Sequence, residues 1–250
     1  DLLSKQDLVE GLELRGQLHR YLGSLEKARD DYAEALSLLE EIRDADEIIG
    51  RIRAGLAGVY DLASESFKAK SHYEEAIQTL KDLDPLPVED IAELNNNLAF
   101  IYESEKNYDR AETCFLDALK SCYEKFGSNH KQTAGYYNNV GSFYFKLGHD
   151  EQAGKMHGEA LKARVILFGE LHFESAQSYA NLALVLVRSG KVVEGLAHFE
   201  KALCGFESNL KVSASDYQIV AANYRDVLGS MGDERAVEEL DQRLVKTSLV

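Results

Sequence analysis

One stretch of sequence recurs along this chain at a fixed interval, and no other feature narrows the possible folds as far. The segment NNNLAFIYESEKNYDRAETCFLDAL (Asn95 to Leu119) returns as YNNVGSFYFKLGHDEQAGKMHGEAL (Tyr137 to Leu161) and as YANLALVLVRSGKVVEGLAHFEKAL (Tyr179 to Leu203), 42 residues on each time. Upstream, Ile52 to Ile77 and Leu12 to Leu36 fall into the same register, and a degraded copy runs from Ala222 to Leu244. A unit of this length cannot bury its apolar face alone, so six copies in 250 residues mean a stack of like units sharing one continuous core.

Each copy reads as two amphipathic helices joined by a short turn. In the first, a large apolar residue is followed by a small one, as in Leu56-Ala57, Leu98-Ala99, Val140-Gly141 and Leu182-Ala183, with Tyr60, Tyr102, Tyr144 or Leu186 one turn further on. The small residue lets the paired helix approach closely. In the second, Ala28, Ala69, Ala111 and Ala153 are followed four residues later by Tyr32, Tyr73, Phe115 and His157. His157 therefore reads as a packed ring. The two prolines, Pro85 and Pro87, mark a loop and leave the rest of the chain free to be helical. The pattern predicts twelve helices in six antiparallel pairs, with first helices starting near residues 9, 50, 92, 134, 176 and 218.

These residues resemble the tetratricopeptide repeat, and the resemblance covers almost the whole chain. The usual unit is about 34 residues, and the longer period here, with NNLA or NNVG in the first helix and FG-x-x-H in the connecting loop, is similar to the repeat of kinesin light chains and their relatives. The loops that carry this likeness are Phe126-Gly127-Ser128-Asn129-His130 and Phe168-Gly169-Glu170-Leu171-His172. Lys131 and Phe173 stand where the family has Pro, and no heptad segment for pairing with a heavy chain is present, which sets the chain apart from kinesin light chain itself. The resemblance implies an all-α, right-handed superhelical solenoid of about six antiparallel helix pairs. It would form a single domain over 1–250, with repeats at about 9–49, 50–91, 92–133, 134–175, 176–217 and 218–250. Phe126, Phe168 and Leu210, at 42-residue steps, should each bury against the following repeat. The last copy, with Asp233, Glu234, Arg235, Glu238, Glu239 and Asp241, reads as a polar cap.

Composition removes several functional classes. A net charge of −15 repels phosphate backbones and anionic headgroups, so nucleic acid is not an expected partner. No run approaches the ~20 apolar residues that span a bilayer, so no membrane insertion is expected. Three cysteines read as free thiols, because Cys114 and Cys122 lie eight residues apart on one helix, roughly 12 Å, too far to bridge. That points to a reducing, cytoplasmic compartment. Enzyme chemistry lacks its residues: there is no His-Glu-x-x-His, no phosphate loop and no Cys-x-x-Cys. His130 and His172 share a loop position and read as loop-anchoring hydrogen bonders. Acidic neighbours such as Glu74-Glu75 are solvated helix faces. Neither a cofactor, a metal nor a catalytic residue is expected.

One polar feature rises above this background. Asn97, Asn139, Asn181 and Asn223 follow each other at steps of 42, one residue before the large apolar position of each first helix, and Asn96 and Asn138 form a shorter second column. Asn is a poor helix former, so four at one interior position need a reason. In kinesin-light-chain-like relatives the matching asparagines point into the concave groove and hold the main chain of an extended peptide, and that is what the resemblance implies here. An amide offers a donor and an acceptor and can pair with any peptide bond. By the same geometry Phe100, Glu103, Lys146 and Arg188 line the groove, together with Glu93, Phe145, Leu184 and Asp226. The alternative is that the asparagines brace neighbouring helices. The two-carboxylate clamp of chaperone-binding relatives is not expected, because Glu13, Gln17, Gly55, Asn96 and Phe100 occupy its places. The expected function is a scaffold or adaptor for a protein or peptide partner. Homo-oligomer formation through the groove or terminal repeats, or regulation of an enzyme, is the alternative.

Overall fold

The computed structural model describes residues 2–42 and 44–247. Among them lie twelve α-helices and no strand. In pairs they are α1 (Leu2–Tyr21) with α2 (Leu25–Leu39), α3 (Asp46–Leu62) with α4 (Ser66–Lys81), and α5 (Val88–Ser104) with α6 (Tyr108–Phe126). Next come α7 (Lys131–Lys146) with α8 (Asp150–Phe168), α9 (Phe173–Arg188) with α10 (Val192–Glu207), and α11 (Leu210–Ser230) with α12 (Glu234–Thr247). First helices begin three to eight residues earlier than the repeat register placed them. The recurring apolar residues mark where a helix packs, and each helix extends about a turn beyond its packed centre. The proline loop is present, and Pro87 stands directly before α5.

The chain forms two compact units, one up to Cys122 and one from Tyr123. In the first, α1 packs on α2 and α3 on α4, while α2 meets α3 and α4 meets α5. Its core gathers Val9, Leu12, Ala28, Tyr32, Leu39, Ile52, Leu56 and Val59. In the second, α7 pairs with α8, α9 with α10 and α11 with α12, and α8–α9 and α10–α11 join the pairs. Its core includes Ala176, Tyr179, Ala183, Phe199, Phe206, Tyr224 and Leu240.

The small-against-aromatic pattern is what closes each pair. Tyr32, Tyr73, Phe115, His157 and Phe199, all on second helices, are at most 2% exposed. A Cβ on Gly16 would come within 3.0 Å of the Tyr32 ring, and one on Gly141 within 2.8 Å of the His157 ring. At such contact any larger residue would force the pair apart. Burial pushes the His157 imidazole down to about 4, and the Arg164 guanidinium pushes the same way, so the ring packs neutral.

All six turns inside the pairs are one structure. A left-handed residue recurs at Gly23, Ser64, Lys106, Gly148, Gly190 and Gly232, with φ between 60° and 80°. The next amide reaches back to the helix: Ser24 N to His19 O at 2.8 Å, Glu65 N to Tyr60 O at 2.8 Å, Asn107 N to Tyr102 O at 2.8 Å, His149 N to Tyr144 O at 2.9 Å. This is the Schellman closure, which satisfies carbonyls the helix end leaves bare.

The longer loops between repeats close differently from expectation. Phe126 and Phe168 are only half-buried. Each stacks on the histidine of its own loop, Phe126 on His130 with centroids 4.3 Å apart and Phe168 on His172 at 4.7 Å. His172 also accepts from Glu174 N at 3.2 Å, capping α9. His172 thus anchors its loop by ring stacking as well as hydrogen bonding, and His130 by ring stacking, its Nδ1 buried with no hydrogen-bond partner among the described residues. The side chain of Leu210 lies outside the described residues.

Candidate functional site

The polar positions of the first helices lie in both units. In the first, α1, α3 and α5 surround a cavity of about 200 Å³. Helix α1 contributes Glu13, Gln17 and Arg20; α3 contributes Arg51 and Gly55; α5 contributes Asp90, Glu93 and Asn97. Tyr32 and Tyr73 reach it from the second helices. Asp90, Glu93 and Asn97 fall at i, i+3 and i+7 of α5, which is one helical face.

The cavity is electrostatically organised. Glu13, 7% exposed, accepts from Arg51 Nε at 3.1 Å and from its terminal nitrogen at 2.9 Å, so α1 and α3 are joined by a two-point ion pair. Arg51 also reaches Glu47 at 3.3 Å. Asn97 lines the cavity beside Tyr73, whose phenol is pushed up to about 12, chiefly by burial. Asn97 is half-buried, while Asn96 is buried at 9% and bonded within the protein. Phe100 is 46% exposed and packs edge-on against Phe115, centroids 5.0 Å apart. Glu103 is half-buried and already engaged.

In the second unit two separate sets of contacts join α7 and α9, Asn138 with Asn181 and Phe145 with Arg188. Asn181 Nδ2 donates to Asn138 Oδ1 at 2.8 Å. Arg188 Nε donates to Asp150 Oδ1 at 2.7 Å, and a terminal nitrogen donates to the Phe145 carbonyl at 2.6 Å. Its guanidinium lies 3.5 Å from the centre of the Phe145 ring. Arg188 is therefore held by its own repeats. Asn139 and Asn223 are half-buried, and Asn139 has a partner within the protein. Lys146 and Asp226 are exposed, and Leu184 packs on the core.

Sequence reasoning placed the site from the third repeat onward and missed the cavity of the first three. The signal was there in Gly55, which stands at the asparagine position of the second repeat. Without a side chain there, the Tyr32 ring packs against the α3 backbone at the wall of the cavity. Among the described residues no group of three or more His, Cys, Asp or Glu side chains could hold a metal ion. None of the described helices is long and apolar enough to cross a membrane. Cys114, Cys122 and Cys204 form no disulfide among the described residues.

Comparison with known proteins gives a consistent result. Two family models described as tetratricopeptide repeat match the chain, one at residues 90–164 and 132–208 and the other at 9–39. Superkiller complex protein 3 of Homo sapiens is 30% identical over 127 residues, which is 50% of this chain and 7% of that protein. Amyloid protein-binding protein 2 of Rattus norvegicus is 24% identical over 207 residues, 78% of this chain and 35% of that one. The chain thus spans about a third or less of the length of these relatives. Among solved structures, BtubC (BKLC) from P. vanneervenii superposes with a TM-score of 0.73 at 27% identity, covering 87% of this chain and 85% of that one. A putative kinesin light chain of nearly identical TPR-like repeats from Podosopora anserina gives 0.68 at 13% identity, over 80% of this chain and 96% of that one, and so shares the fold.

Proposed function

Since the chain belongs to the tetratricopeptide repeat family, we propose that it is a protein–protein interaction scaffold that holds an extended segment of a partner along its first helices. The observation that carries this reading is the burial of the asparagine column. Asn97, Asn139, Asn181 and Asn223 are all half-buried, a level that leaves an amide within reach of a ligand while fixing its rotamer. That a relative is named as a protein-binding protein supports the same reading. The function needs no cofactor and no chemical step, and free thiols fit work in the cytoplasm.

A pull-down tests it, with the wild-type chain beside an Asn139→Ala/Asn181→Ala double variant. The partner captured by wild type should be lost or reduced by the double variant at unchanged helical content. Equal capture by both would remove the asparagines from binding.

A second reading is favoured by one surface. On α1, Leu14, Leu18 and Tyr21 fall on one helical face and are 66%, 54% and 87% exposed. An exposed apolar stripe of this kind is a surface suited to contact with another copy, so it is available for self-association. Size measured in solution over a range of concentrations separates the two readings, since a monomer throughout removes the second.

A further inference from the structure

We propose that the cavity among α1, α3 and α5 takes one basic side chain, Lys or Arg, from a polypeptide partner. The proposal rests on the scaffold reading and adds the chemistry of one pocket to it. Tyr32 forms the floor. It is 0% exposed, and its hydroxyl has no hydrogen-bond partner among the described residues. Nearly all buried polar side chains in folded proteins are paired, so a hydroxyl left bare at the wall of a cavity marks a place for a missing partner. The ring lies directly against the bare backbone of Gly55, where a Cβ would sit 2.6 Å from Tyr32 Cζ and 2.9 Å from its hydroxyl oxygen.

Charge decides what enters. Glu13, Asp90 and Glu93 line the cavity against Arg20 and Arg51, a surplus of one negative charge. Arg51 is committed to Glu13 and Glu47. Asp90 and Glu93 are exposed at the rim on one face of α5 and make no side-chain hydrogen bond or salt bridge among the described residues. Arg20 lies at the far end of the cavity, where a Cβ on Gly58 would meet its guanidinium at 2.5 Å. A cation entering from the α5 side would meet two carboxylates and then a phenol oxygen able to accept. Its approach is favoured by the net charge of −15. A carboxylate would face the same surplus with the opposite sign. The volume of about 200 Å³ exceeds the roughly 30 Å³ share of a single water several-fold and suits one long side chain.

The test uses small probes and the whole chain. N-acetyl-arginine amide, N-acetyl-lysine amide and N-acetyl-glutamate amide are titrated in turn while the backbone amide signals of Ala54 and Gly55 are followed by NMR. Saturable shifts with either basic probe, and none with the glutamate probe, are expected; comparison of the two basic curves tells Lys from Arg. Glu93→Gln should weaken the basic probe roughly threefold or more. Tyr32→Phe should weaken it too, yet raise the melting temperature of the free protein, because it removes an unpaired buried hydroxyl. Absent or non-saturating shifts with both basic probes, equal binding of the glutamate probe, or a Glu93→Gln variant indistinguishable from wild type would each overturn the assignment. These signals need no polypeptide partner, so a failed pull-down together with bound basic probes would count against the scaffold reading and leave the pocket in place.

Discussion

The side-chain amide of Asn181 donates to the carboxamide oxygen of Asn138 at 2.8 Å, so two residues from neighbouring columns tie α9 to α7. A polar pair of this kind contributes about 0.5 to 1.5 kcal/mol net. In a double-mutant cycle, Asn138→Ala and Asn181→Ala should therefore show a coupling near ~1 kcal/mol in urea denaturation. Lys155→Ala, on the exposed side of α8, should change stability by less than about 0.5 kcal/mol. Zero coupling between Asn138 and Asn181 would mean that their amides are held for something other than each other.

The six equivalent turns make a second expectation. Four carry Gly at the left-handed position, but Ser64 and Lys106 hold φ of 60° and 61°. A residue with a Cβ costs roughly 1–2 kcal/mol in that conformation, of which about half is offset by the greater freedom glycine has when unfolded. Ser64→Gly and Lys106→Gly should each stabilise the fold by about 0.5–1 kcal/mol. Gly148→Ala and Gly190→Ala should destabilise it by a similar amount. Chemical denaturation of the four variants measures both directions at once.

Acid stability should depend on His157. The ring is held down to about 4 in the fold and titrates near 6.5 when the chain is unfolded. As pH falls, the unfolded state takes up the proton first. The contribution is complete above about 6.5 and is lost progressively as pH falls towards 4. It reaches roughly 3 kcal/mol, since each tenfold difference in proton affinity between the two states is worth about 1.4 kcal/mol. Urea midpoints of wild type and His157→Phe, compared at about pH 7.5 and about pH 5, should diverge, with wild type losing more on acidification. A gap between them that does not change with pH would contradict a neutral buried ring.

Arg188 should act on stability before it acts on binding. Its guanidinium meets Asp150, the Phe145 carbonyl and the Phe145 ring together. Lysine keeps the charge but loses the planar fork and the stack, so Arg188→Lys should cost about 1 kcal/mol and Arg188→Ala somewhat more. Calorimetric melting of the three proteins tests this. If both variants melted with wild type while partner capture fell, Arg188 would belong to the groove after all.

Sequence by itself determined the helices and their pairing. The spacing of Ala28, Tyr32 and Ala35, or of Ala111, Phe115 and Ala118, states which face is buried, because burial is a property of periodicity along one helix. The small residue opposite each aromatic ring was legible for the same reason. Only the tertiary structure decided what the polar side chains do. Asn97, Asn139 and Asn181 occupy one register position, yet Asn97 lines a cavity with Tyr73 and Asn181 bonds Asn138. Phe126 and Phe168 were expected under the next repeat and instead lie half-buried on their own histidines. The Tyr32 ring reaches the wall of the cavity because Gly55 removes one side chain from a column that is otherwise asparagine in the later repeats. A hydrogen bond or an ion pair is made or lost within an ångström. Which group a neighbouring helix brings inside that distance is set by packing in three dimensions, and spacing along the chain carries no record of it.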